Sequence, residues 1–210
     1  MAPIQAYLMN RNAEIALARS AAPAAISSHA TILVLSRQGW QTAVQGTNGF
    51  VCNVERGWTG SLDWPQVWNP KIRGADCLNP AAARTILPIE RKVTQLTLAG
   101  ESLSRRMANV RAAFASRALR PVPPGAMGYM MSKGSYLGDP PSSDLSHLMF
   151  FVWTRHTSAA WGAFLPHVPL YSFSFWFSQP GAESPLEKQV PGLQVLVVPV
   201  PWWSDGSPVH

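Results

Sequence analysis

The chain has 210 residues, 47% hydrophobic and only 13% charged, which is enough apolar content for one sizeable core and too little charge for a disordered chain. Its net charge of +6 raises nucleic acid as a partner, yet no run of five basic residues, zinc-finger spacing or basic–aromatic interleaving is present, so no nucleic-acid partner is expected. No apolar run reaches the roughly 18 residues of a membrane span, and Met1-Ala2-Pro3-Ile4 begins no charged-then-apolar leader, so neither a transmembrane segment nor a signal peptide is expected.

Tyr7, Leu8, Ile15 and Leu17 recur at near-helical spacing and predict a helix from Ile4 to Ala22, ended by Pro23. Three strands follow, at Thr31 to Ser36, Trp40 to Gln45 and Phe50 to Glu55. Gln38-Gly39 and Asn48-Gly49 between them are turn signals, so the three read as a meander. Gly57 to Asp76 reads as a long loop holding Trp58, Trp64 and Trp68.

Asn79 and Pro80 have the chemistry of a helix cap and first turn, and Pro88 should break or kink the helix they start. A second piece runs from Ile89 to Leu98, closed by Gly100. Ser102 caps another, to about Leu119, with Leu103, Met107, Val110 and Phe114 as its buried stripe. Gly125 to Ser132, Leu148 to Trp153, Tyr171 to Phe177 and Val195 to Val200 are the remaining strands, and Ser178 to Pro191 reads as a flexible loop. Helices and strands come in runs, which predicts an α+β fold, one domain over residues 1–210, with an antiparallel sheet and helices packed on one side.

Gly125 to Phe151 gathers the residues best suited to chemistry. A serine nucleophile needs a base and an orienting acid. Ser132 or Ser135 supplies the first, His147 the second, and Asp205, Asp139 or Asp144 the third; Lys133 is an alternative base. Neither a Gly-x-Ser-x-Gly elbow nor a Ser-x-x-Lys pair accompanies them. The plainer reading is a hairpin whose polar residues make turns. Trp58, Trp68, Arg73 and Tyr136 are candidates for binding substrate.

Glu55, Arg56, Lys71 and Arg73 either bind a carboxylate or phosphate or pin the tryptophan loop as a structural ion pair. Asp63, Asp76, Asp139, Asp144 and Asp205 are oxygen donors without a calcium-loop pattern, so no metal is expected. Without a phosphate loop or dinucleotide fingerprint, no cofactor is expected either. Cys52 and Cys77 form a disulfide or remain buried thiols.

Several segments resemble an uncharacterised family of bacterial, usually exported, proteins of about this length. They are Glu14 to Pro23, Gly46 to Arg56, Trp68 to Arg73, Gly125 to Tyr136, His147 to Phe151 and Trp203 to Gly206. The resemblance implies an exported or periplasmic location, with a cytoplasmic one as the alternative because no signal peptide is read, and carries no established activity. Two functions therefore stand as expectations. One is a small hydrolase acting on an ester, lactone or amide through Ser132 or Ser135, His147 and Asp205. The other is a non-enzymatic exported domain that binds a small molecule or protein partner through Trp58, Trp64, Trp68, Trp202 and Trp203.

Overall fold

The computed structural model describes residues 1–60, 65–138, 145–153, 158–174 and 193–209. Within them lie helices α1 (Arg11–Arg19), α2 (Ala24–Ser27), α3 (Pro80–Leu98) and α4 (Leu103–Ala115). The strands are β1 (Thr31–Ser36), β2 (Gly39–Val44), β3 (Val51–Glu55), β4 (Gly74–Leu78), β5 (Met127–Met130), β6 (His147–Trp153), β7 (Tyr171–Ser174) and β8 (Leu193–Pro199). They form one sheet in the order β2-β1-β3-β4-β5-β6-β8-β7. Every neighbouring pair is antiparallel except β1 and β3, which run parallel. The architecture is α+β, as the segregated pattern predicts.

The first helix is shorter than its apolar spacing suggests. A 3-10 turn at Ile4–Tyr7 precedes it, and Asn10 caps α1 by accepting from the amides of Asn12 and Ala13. The three strands form, but they are not a meander. β2 pairs back on β1, and the chain then crosses so that β3 joins the opposite edge of β1. Asn48 serves this crossover instead of a hairpin, accepting from Phe50 N and donating to the Ile26 carbonyl. Gly46 lies so close to the β1 backbone that a Cβ would sit 2.2 Å from Thr31 N, which only glycine tolerates.

The long tryptophan loop ends earlier than expected, because Gly74–Leu78 is strand β4, paired along its length with β3. Pro88 does not break α3. It removes the amide that would bond to the Arg84 carbonyl, yet the helix continues, with Ile86, Leu87 and Ile89 on either side of it buried in the core. The segment from Ser178 to Pro191 lies outside the described residues.

Strand alternation splits the core in two. Ile32, Cys52, Val54, Ala75 and Cys77 pack with Ala18, Ala21 and Ala22 around α1. Leu33, Leu35 and Leu78 pack with Ile86, Ile89, Val93 and Val110 of α3 and α4. Helices therefore lie on both faces of the sheet instead of one. Cys52 and Cys77, directly opposite each other, are disulfide-bonded on the α1 face.

Candidate metal centre

On the α3 face, the residues between those cysteine-side positions are polar. Asn53 and Glu55 alternate with Cys52 and Val54 along β3, and Asp76 lies between Ala75 and Cys77 on β4. Asn53 pairs directly with Asp76 across the ladder. Helix α3 covers this part of the sheet with Ile86, Ile89 and Val93 and, among them, Glu90. Carboxylate oxygens of Glu55, Asp76 and Glu90 all lie within 4.8 Å of one another. Asn53 and Asp76 are completely buried, Glu90 is 1% exposed and Glu55 is half-buried.

Among the described residues the cluster has no basic ion-pair partner. The ion pairs among the described residues are Arg56–Glu14, Arg105–Glu101 and Lys133–Asp205. Neither oxygen of Asp76, neither end of the Asn53 amide nor Oε2 of Glu90 has a well-formed hydrogen bond, although the Asn53 side chain and the Cys77 amide lie close enough to ease the charge on Glu90 and Asp76. Burial pushes the Glu55 carboxyl up to about 7, partly offset by its hydrogen bonds with Glu90 and Thr59. Burial also drives Asp76 and Glu90 well above the usual carboxylate range, with the neighbouring carboxylates adding to it. Two unit charges about 4 Å apart repel by about 4 kcal/mol at an effective dielectric of about 20. Such a cluster therefore holds protons, or it holds a cation. Its donors are all oxygens, which suits hard ions such as Mg²⁺, Mn²⁺ or Ca²⁺.

Glu55 and Arg56 are neighbours in sequence that serve opposite faces. Arg56 is buried and donates to Glu14 at 2.8 Å, to the Tyr7 carbonyl at 2.8 Å and to the Val54 carbonyl. Its acid partner is thus Glu14 of α1, which also accepts from Leu35 N. Arg73 donates to the carbonyls of Pro70, Ile72 and Ala6, and burial lowers its pKa to about 10. Lys71 is exposed. Arg56 and Arg73 are thus spent on tying segments together.

The residues chosen for serine chemistry are dispersed into separate bonds. Ser132 is buried, with its Oγ 2.5 Å from Ser20 Oγ and accepting from Gly134 N. Ser135 Oγ accepts from Ala75 N of β4. His147 opens β6, buried, with Nδ1 2.7 Å from the Leu145 carbonyl, and burial lowers its pKa. Asp205 is exposed, accepting from Lys133 Nζ and from the amide and hydroxyl of Ser207. Lys133 and Asp205 are thus brought together. Among the described residues, His147 shares no hydrogen bond with Ser132, Ser135 or Asp205. Asp139 and Asp144 lie outside them.

Among the described residues, the tryptophans expected to bind a partner do not gather into one exposed surface. Trp58 is fully buried, donating to Thr94 and packing on Tyr7. Trp68 is half-buried under the Arg106 guanidinium, 4.9 Å from its ring centre. Trp202 is exposed and Trp203 half-buried, while Trp64 lies outside the described residues. Tyr136 is half-buried and bridged to Arg73 through both backbones.

Asp76 is the one member of the acidic cluster weighed as a metal ligand from sequence. Glu90 carried a readable signal, an acid in the apolar stripe of Ile86, Ile89 and Val93. Asn53 and Glu55 carried another, polar residues alternating with Cys52 and Val54. The chain matches no protein-family model, no curated protein and no solved structure.

Proposed function

We propose that this chain is a divalent-cation-binding domain, with Glu55, Asp76 and Glu90 as carboxylate ligands and the Asn53 carboxamide oxygen as a neutral fourth. One observation carries the reading. Asn53 is fully buried among these acids with no well-formed hydrogen bond at either end of its amide, beside an Asp76 whose two oxygens also lack one. Buried polar groups are almost always bonded, and an ion would satisfy these oxygens and neutralise the repulsion together. The half-buried Glu55 is the member nearest to solvent, and so the natural route for an ion. The chain is also taken to be exported, because a buried disulfide persists in an oxidising compartment.

Calorimetric titration of chelator-treated protein with Mg²⁺, Mn²⁺ and Ca²⁺ tests the proposal. Saturable binding of one ion per chain is expected for at least one of them, and its loss in Asp76→Asn. No binding of any of the three, or equal binding by Asp76→Asn, sinks it.

A small serine-type hydrolase is the second reading, favoured by His147. The Nδ1–H donated to the Leu145 carbonyl leaves Nε2 as the proton acceptor, the tautomer a general base needs. Hydrolysis of short-chain esters and lactones that disappears in His147→Ala supports it. Activity that survives the substitution, or is absent from wild type, rules it out.

A further inference from the structure

The net charge of +6 is confined to one stretch of the chain. Residues 80–120 hold eight basic and two acidic side chains, whereas the rest of the chain holds nine of each. This stretch is the α3–α4 hairpin and its exit. Its two acids do not offset its surface, because Glu90 is turned into the core and Glu101 is taken by Arg105 at 3.6 Å. Arg106 is buried over Trp68. Arg84, Arg91, Arg111, Arg117 and Arg120 are exposed.

Their setting narrows the partner. Arg84 and Arg91 are seven residues apart, which sets them on one side of α3 about 10 Å from each other. The outward residues of α4 are Ser104, Arg105, Ala108, Arg111, Ala112 and Ala115, so guanidinium groups stand above a floor of short side chains. The aromatic of this stretch, Phe114, is half-buried against the core, leaving no exposed ring on which a nucleobase could stack. No helix of the described residues is long and apolar enough to cross a membrane.

We infer that the α3–α4 face docks on an anionic phospholipid surface. An array of phosphates matches these separated, exposed guanidiniums, each able to hold a phosphate through two parallel hydrogen bonds. Basic side chains near such a surface add to binding one by one, roughly fivefold each. The attraction is electrostatic and falls with salt.

Co-sedimentation with vesicles of phosphatidylcholine alone, and of phosphatidylcholine containing a third phosphatidylglycerol, tests this. Wild type is expected to sediment with the anionic vesicles only, and to be released by high salt. The Arg84→Glu/Arg91→Glu double variant should bind at least roughly 25-fold more weakly. The Arg19→Glu/Lys71→Glu double variant makes the same change in net charge elsewhere and should bind within about twofold of wild type. All four positions are exposed, so equal melting curves by circular dichroism are expected. Failure of wild type to bind, equal binding to both vesicles, or equal loss in both variants overturns the inference. So does short duplex DNA binding more tightly than the vesicles.

Discussion

An ideal Cβ on Gly128 would fall 2.7 Å from Oδ1 of Asp76, 3.2 Å from Leu78 and 3.3 Å from Met149. The bare backbone of β5 is thus what gives the Asp76 carboxylate its room. Asp76 is short, fully buried and fixed by its strand, so it cannot swing clear of an added methyl. Gly128→Ala is expected to cost about 1–3 kcal/mol by overpacking, read from denaturant melts, and to weaken cation binding with it. Unchanged stability and unchanged binding would mean that the carboxylate has slack. Glu55 shows why the site itself escaped the sequence. Adjacent to Arg56, it read as half of an ion pair, but strand alternation sends the two side chains to opposite faces of the sheet, and Arg56 takes Glu14 from α1. The acids that do meet, at positions 55, 76 and 90, are joined by strand pairing and helix register, and no local spacing encodes either.

At the scale of elements, β3 and β4 form the platform of the centre, and they are joined twice. Their ladder pairs Asn53 with Asp76 on the α3 face, and the neighbouring rung is closed by the Cys52–Cys77 disulfide on the α1 face. With a sequence separation of 25, loop closure accounts for about 3 kcal/mol of stability. The Cys52→Ala/Cys77→Ala variant should lose about that much in chemical denaturation; a loss below about 1 kcal/mol would leave the bond without a structural role. Strand β4 was hidden in the sequence because all five of its residues are buried, which removes the inside–outside alternation that marks a strand. Asn48-Gly49 misled for a different reason. The dipeptide turns the chain as its chemistry requires, but which edge of β1 receives the next strand is decided by long-range packing. The caps at Asn79 and Ser102, by contrast, are local chemistry and form as read. Pro88 stays within α3 because tertiary packing of Ile86, Leu87 and Ile89 around it holds the helix despite the lost hydrogen bond.

Over the whole molecule, the three buried acids set a dependence of stability on pH. Their carboxyls are raised in the folded chain, so the folded state binds protons more tightly than the unfolded one. The stability they contribute is full below about pH 3.8 for Asp76 and 4.5 for the two glutamates, and is lost as pH rises, through about 7 for Glu55 and further for Asp76 and Glu90. His147 acts in the opposite sense: its lowered pKa makes stability fall as pH drops below its ordinary value of 6.5. Above that value the imidazole is neutral in both states, and a decline reports the acids. A bound cation would hold them ionised without penalty, so binding should strengthen as pH rises and release protons.

The melting temperature of chelator-treated wild type and of Asp76→Asn between about pH 6.5 and 8.5, with and without a saturating divalent cation, tests the central claim most directly. Metal-free wild type should lose stability across this range and regain it with Mg²⁺, Mn²⁺ or Ca²⁺, while Asp76→Asn should decline less and gain nothing from the ion. A metal-free profile that is flat or rises, or one that none of the three ions alters, would contradict a buried acidic centre built to hold a cation.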